Sequence, residues 1–260
     1  MQLRPTMAYA KQRDGTAVVI KLIQSGSNEL SLLQYLSSIT SPSNHAIPLL
    51  ATFQLSLGTF IVIPEATTLT LGFKFGDFQG KVADLSQQLV DGVAFLHDNG
   101  IAHLDIKPGN IVVTRRSHLY IIDFDISVRV HCPGELIDEW LGTPGWMAPE
   151  IGEEHGPRHL YDPIRADLWS CGLLLQYLAT NRGEEADAFQ TLTAQLLNRQ
   201  PLLRPMLSLW RRPIKAKPVL TSQDPELEQL RSAKRLRVSG PSKATRQMWH
   251  THHHGTAISV

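Results

Sequence analysis

Cysteine is nearly absent from this chain. Its 260 residues contain only Cys132 and Cys171, too few for a disulfide framework or a cysteine-rich zinc site. That points to a reducing, intracellular setting, cytoplasmic or nuclear. Long apolar runs are absent too. No stretch approaches the ~18 residues of a membrane span, and the opening M-Q-L-R-P-T-M-A-Y-A-K has no apolar centre of the length a signal peptide needs. No internal repeat is visible, which excludes a solenoid or propeller. The net charge of +1 conceals an asymmetry. Residues 211–260 hold 10 Lys+Arg against 3 Asp+Glu, a balance of +7, so residues 1–210 carry −6. A near-neutral total gives no reason to expect a nucleic-acid partner, and the acidic body is large enough to bury a sizeable core or two lobes.

The elements read as follows. Met7 to Ala10 and Ala17 to Ile23 are strands around an Asp14-Gly15 turn. Asn28 to Leu36 is a helix, with Glu29, Leu33 and Leu36 on one face. Phe60 to Ile63 is a short strand followed by Pro64-Glu65-Ala66. From Lys81 to Asp98, Leu85, Leu89, Val93 and Leu96 form an apolar helical stripe stopped by Asn99-Gly100. Leu119 to Ile122 is a strand, and Ala166 to Ala179 and Gln190 to Leu197 are helices. Beyond Arg211, prolines, serines and basic residues replace periodicity, so residues 212–260 read as a basic, disordered tail. Leu227 to Leu236 is its one helical candidate. The basic run 233–237 is a nuclear address, a patch for an acidic partner or a solvated stretch, and the His250–His254 cluster is low-complexity sequence or a metal site.

The chemistry concentrates in A-H-L-D-I-K-P-G-N, residues 102–110. It places Asp105, Lys107 and Asn110 on one short loop before the β-branched run Ile111-Val112-Val113. A carboxylate, a cation and a carboxamide so spaced suit phosphoryl transfer. The acid orients a hydroxyl and takes its proton, the ammonium neutralises the moving group, and the amide oxygen ligates Mg²⁺. Asp123, in I-I-D-F-D, offers a second hard oxygen ligand.

In this order the motifs resemble the eukaryotic protein kinase family of serine/threonine type. H-L-D-I-K-P-G-N is similar to its catalytic loop, D-F-D to its metal-binding D-F-G, V-V-I-K (18–21) to the strand bearing the ATP lysine. G-T-P-G-W-M-A-P-E, D-L-W-S-C-G and Arg204-Pro205 are similar to its C-terminal landmarks. The resemblance implies an α+β, bilobal fold over residues 1–211, with a small β-rich N-lobe to about residue 65 and a mainly helical C-lobe from 66. It implies ATP and Mg²⁺, and a protein substrate bearing Ser or Thr. Asp105 would be the base, Lys107 the phosphoryl-stabilising cation and Thr143 their partner. Lys21, paired with Glu29, would bind the nucleotide together with Ile63, Glu65 and Ala66 at the hinge, and Asn110 and Asp123 would bind the metal. Asp167 and the Glu150–Arg204 pair would be architectural. Oligomeric state is not legible.

Three departures from the family stand out. Gly15 is the sole glycine before Lys21, so the glycine-rich phosphate loop and first strand are expected to be missing, leaving a shortened sheet of about four strands. Leu104 occupies the place of an arginine that pairs with an activating phosphate. Asp125 replaces the glycine of D-F-G and either ligates a second metal or stiffens that turn. The readings that follow are a working kinase, a pseudokinase that binds nucleotide or protein, and a small-molecule kinase. The peptide-platform motifs disfavour the last.

Overall fold

The structure, a computed structural model, describes residues 7–24, 26–78, 80–180 and 189–211. Most of the stretch between Thr180 and Gln190 falls outside these residues, and the basic tail lies wholly outside them.

The first layer is a four-stranded antiparallel sheet of β1 (Met7–Lys11), β2 (Ala17–Leu22), β3 (Ala51–Leu55) and β4 (Gly58–Pro64), ordered β1-β2-β4-β3. Four strands were expected. β1 and β2 are joined by a tight turn in which the Gln12 amide donates to the Thr16 carbonyl at 2.8 Å and Gly15 takes φ +88°. Residue 15 must be able to enter the left-handed region, so glycine fits there. Lys21 sits opposite Ile61, and Val19 opposite Ile63. Because side chains alternate across a strand, these four share one face of the sheet. Between β2 and β3 runs helix α1 (Glu29–Ser37), which buries Glu29, Leu32, Leu33 and Leu36.

Glu65 and Ala66 link the sheet to the helical part, and the Glu65 amide donates to the Ala17 carbonyl at 3.2 Å. There follow β5 (Thr67–Thr68), α2 (Leu69–Phe75), α3 (Val82–Asp98), β6 (Ile101–Ala102), β7 (Ile111–Val113), β8 (Leu119–Ile121), β9 (Val128–Arg129), α4 (Pro163–Thr180) and α5 (Gln190–Leu196). The α3 stripe read from sequence is the buried face, with Leu85, Leu89, Val93 and Leu96 each at 0% exposure. It packs on α4, which buries Leu168, Cys171, Leu174, Leu175 and Leu178. Burying five such side chains outweighs the weak amphipathicity of α4. α4 begins three residues before the expected Ala166, because Asp162 Oδ1 accepts from the amides of Ile164 (2.9 Å) and Arg165 (3.2 Å), and Pro163 costs nothing in the first turn. No helix among the described residues is long and apolar enough to cross a membrane.

One crossing fixes the two parts against each other. The chain after α1 reaches β8, where Ile121 donates to the His45 carbonyl at 2.7 Å and Ile47 donates to the Ile121 carbonyl at 3.0 Å. The strand that leads into Asp123 is thereby bonded to the chain that follows α1.

Candidate active site

β7 and β8 pair in register, Ile111 opposite Ile121, and the Ile122 amide donates to the Asn110 carbonyl at 3.0 Å. The pairing brings the loop 103–110 beside 122–125. Both loops contain a non-glycine residue in the left-handed region, Leu104 at φ +64° and Asp123 at φ +70°. Such residues cost of order 1–3 kcal/mol each and persist only where the surroundings hold them. For Leu104 the support is Asp167, fully buried at the foot of α4. Its carboxylate accepts from the His103 amide at 2.5 Å and the Leu104 amide at 2.7 Å, and contacts His97 Nε2 at 3.1 Å. His103, also fully buried, reaches the Ile122 carbonyl through Nε2 at 3.0 Å and packs edge-on against Phe124 at 4.9 Å. It joins the two loops from beneath.

On this platform Asp105 receives three hydrogen bonds. Thr143 Oγ1 donates to Oδ1 at 2.6 Å, while Lys107 Nζ (2.6 Å) and Asn110 Nδ2 (2.7 Å) donate to Oδ2. Lys107 Nζ also donates to Thr143 Oγ1 at 2.6 Å, and Asn110 Nδ2 to the Asp105 carbonyl at 2.9 Å. A carboxylate accepts about four hydrogen bonds, so one lone pair of Asp105 is left for an incoming hydroxyl.

The second cluster surrounds Lys21, which is 3% exposed. Its Nζ lies 2.7 Å from Glu29 Oε2, 2.7 Å from Asp123 Oδ1 and 3.5 Å from Asp125 Oδ2. An ammonium has three donors, and here three carboxylates face it. Burial pulls the Lys21 pKa down, but Glu29 and Asp123 together outweigh burial and leave it above its usual value. The acids are in excess, and the most buried of them yields. Burial pushes Glu29 up to about 7 against the pull of Lys21, with Asp125 adding to the rise. Asp125 is held below the ordinary carboxylate range: burial opposes this, but Lys21, Ser27 and Glu29 prevail.

The donor chemistry suits a hard divalent cation. Asp123 is an exposed-edge carboxylate, with 38% of its side chain accessible, and the Asn110 amide nitrogen is spent on Asp105, which leaves its oxygen as a possible ligand. Glu29, Asp123 and Asp125 also bring carboxylate oxygens within 4.8 Å of one another, but Lys21 already fills the space they share. Ile63 is buried on the face of the sheet that carries Lys21; Glu65 is exposed and Ala66 half-buried in the link. The described contacts do not join Glu65 or Ala66 to the Lys21 cluster.

Towards the C-terminal side, Glu150 and Arg204 form a two-pronged pair, Nη1–Oε1 at 2.5 Å and Nη2–Oε2 at 2.8 Å. The Trp146 amide donates to the Thr143 carbonyl at 2.9 Å, and Ser170 Oγ, from α4, donates to the Trp146 carbonyl at 2.8 Å. The segment that carries Thr143 is therefore braced at both ends.

With this geometry in view, comparison with known proteins is decisive. The family profile for the protein kinase domain matches residues 65–223, more than half of the chain. The chain belongs to the protein kinase family. The sheet that carries Lys21 and the helix that carries Glu29 precede the matched range. Similar kinases include the CBL-interacting protein kinases 1 and 8 of Oryza sativa subsp. japonica. The first is 38% identical over 104 residues, 39% of this chain and 21% of that protein; the second is 41% identical over 92 residues, 35% and 20%. CBL-interacting serine/threonine-protein kinase 17 of Arabidopsis thaliana is 34% identical over 109 residues, 41% and 24%. The chain spans about a fifth of the length of the curated relatives it matches.

Sequence reasoning overlooked Ser27. Its hydroxyl donates to Asp125 Oδ1 at 2.7 Å and its oxygen accepts from the Glu29 amide at 3.0 Å. The only local signal was a serine two residues ahead of a helix-starting glutamate.

Proposed function

We propose that this chain transfers the γ-phosphoryl group of ATP to a serine or threonine hydroxyl of a protein. The observation that carries the reading is the bonded set Asp105, Lys107, Thr143 and Asn110 standing beside Asp123 and the Lys21–Glu29 pair. Asp105 takes the hydroxyl proton on its remaining lone pair, and the bonds from Thr143 and Asn110 fix the direction in which that lone pair points. Lys107 spends two donors on Asp105 and Thr143, and its third N–H meets the negative charge of the moving group. Lys21, aligned by Glu29, meets the phosphates. Asp123 and the Asn110 oxygen would hold Mg²⁺, which neutralises phosphate charge when bound. The braced segment from Thr143 to Glu150 favours a peptide over a small-molecule acceptor, and a lysine two residues after the base favours Ser/Thr by family resemblance. Two free thiols suit a reducing, intracellular compartment.

A pseudokinase is the second reading, favoured by two observations. The β1–β2 connection is a tight turn, and no glycine-rich loop occurs among the described residues. All three Lys21 donors face carboxylates, so a phosphate must displace one of them. Both readings are separated by measuring transfer of labelled γ-phosphate from Mg²⁺–ATP to a basic Ser/Thr-containing protein. Transfer that disappears in Asp105→Asn supports the kinase. Equal transfer by wild type and Asp105→Asn defeats the assigned base. No transfer, accompanied by a nucleotide-dependent rise in melting temperature, favours the pseudokinase.

A further inference from the structure

Asp125 stands where the kinase family has glycine, and the backbone does not call for glycine there. Among the described residues the non-glycine residues with positive φ are Leu104, Ser117 and Asp123. Residue 125 thus accepts a side chain without backbone strain, and its side chain touches two segments far away in sequence. Oδ1 accepts from Ser27 Oγ at 2.7 Å, and Ser27 Oγ accepts in turn from the Glu29 amide at 3.0 Å. Oδ2 lies 3.5 Å from Lys21 Nζ on β2.

Helix α1 needs such a partner. The residue at its N-cap, Asn28, makes no side-chain cap hydrogen bond, so the Glu29 amide is served by Ser27, and the positive end of the helix by the carboxylate behind it. The other end of α1 is docked independently. Tyr35 donates to Asn99 Oδ1 at 3.3 Å, and the Arg129 guanidinium lies 4.0 Å from the Tyr35 ring centre. With both ends held, Glu29 points at Lys21. Leu104, 4% exposed in an apolar cluster with Ala102 and Ala148, offers no cation beside Asp105 through which a phosphorylated segment could order the site.

We propose that Asp125 is a positioning residue. Through Ser27 it fastens the turn after Phe124 to the N-terminus of α1, and so keeps the Lys21–Glu29 pair assembled without any modification of the segment that follows. A glycine at this position makes none of these contacts. The positional claim stands on geometry alone; its consequence for catalysis rests on the kinase reading.

The test is amide hydrogen exchange on the full chain, comparing wild type with Asp125→Gly, Ser27→Ala, the double variant and Asp125→Asn. Loss of one charge-assisted cap should speed exchange in the first turns of α1 by about five- to tenfold. Asp125→Gly and Ser27→Ala should each do so, the double variant no more than either, and Asp125→Asn little, because its amide oxygen still accepts from Ser27. Exchange in α3 and α4 should be unchanged. Wild-type exchange in α1 of both single variants, additive effects in the double, or equal loosening of α3 and α4 would overturn the proposal. If Asp125→Gly does not fold, Ser27→Ala carries the same test. Should wild type transfer phosphate, Asp125→Gly is expected to raise the KM for ATP more than it lowers kcat. Faster α1 exchange in a chain that transfers nothing would sink the kinase reading and leave the positional claim intact.

Discussion

Replacing Arg204 by methionine should be among the most damaging single changes available in this chain. Arg204 is 1% exposed, and its guanidinium makes four hydrogen bonds. Two go to Glu150, one from Nη1 to the Arg165 carbonyl at 2.7 Å and one from Nε to the Asn198 carbonyl at 2.9 Å. Arg165 returns a bond to the Arg204 carbonyl, and the Trp169 ring lies 5.2 Å from the guanidinium. Methionine fills much of the volume but leaves a largely buried carboxylate and two carbonyls without donors. Breaking one side of a buried ion pair costs about 3–5 kcal/mol. For a body of about 200 residues each kcal/mol is worth ~2–4 °C, so the melting temperature should fall by roughly 10 °C. Arg204→Lys should fall in between, since an ammonium cannot reproduce the planar fork. Glu150→Leu combined with Arg204→Met should recover part of the loss, because no charge is then buried, but the two carbonyls still lack donors at about 1–3 kcal/mol each. Thermal and urea melting followed by circular dichroism would measure all four proteins. A methionine variant within 1 kcal/mol of wild type, or a double variant no more stable than Arg204→Met, would refute the account.

Asp167→Ala should destabilise the chain by about 3 kcal/mol, because it strips two buried amides and releases Leu104 from its left-handed conformation; urea melting would show it, and a change below 1 kcal/mol would contradict it. Gly72→Ala should cost about 1–3 kcal/mol or more through overpacking, since an added Cβ would lie 1.8 Å from a carbon of the Phe78 ring; an unchanged melting temperature would show that the ring moves freely. Native protein should titrate one thiol quickly with a disulfide reagent, the exposed Cys132. Cys171, fully buried with its pKa pushed above the usual range by burial and then by Asp167, should react only after unfolding; two fast thiols would mean that α4 opens readily.

Much of this arrangement is legible in the sequence because its signals are local. The Leu85, Leu89, Val93, Leu96 stripe repeats at helical spacing within one element. The set Asp105, Lys107 and Asn110 lies within six residues, so its register can be read directly. What escaped is what local patterning cannot carry. β3 is an edge strand whose Ala51, Thr52, Gln54 and Leu55 are all exposed, so no alternation of apolar and polar residues marks it. α2 is seven residues long and contains Gly72, a poor helix former by propensity that is needed because Phe78 packs where a Cβ would stand. Ser27 is a polar residue in a loop until its partner, 98 residues away, is known.

The polar junctions of the site share one property: each joins segments far apart in sequence. Lys21 meets Asp123 across 102 residues, Asp105 meets Thr143 across 38, Asp167 meets Leu104 across 63, and Arg204 meets Glu150 across 54. The loops they pin, around 105, 124 and 145, are short of regular backbone pairing of their own. Their order therefore comes from carboxylates and cations supplied by α1, α4 and the segment after α5, and those bonds exist only once the sheet and the helices have packed. Local stability in such loops is limited by the weakest of these junctions. Glu150–Arg204 and Asp167 are deeply buried and multiply bonded, whereas the Lys21 cluster holds three acids against one ammonium. The balance of charge makes the Lys21 cluster the softest part of the site, and it is there that an added cation has most to gain, by drawing a carboxylate away from the ammonium.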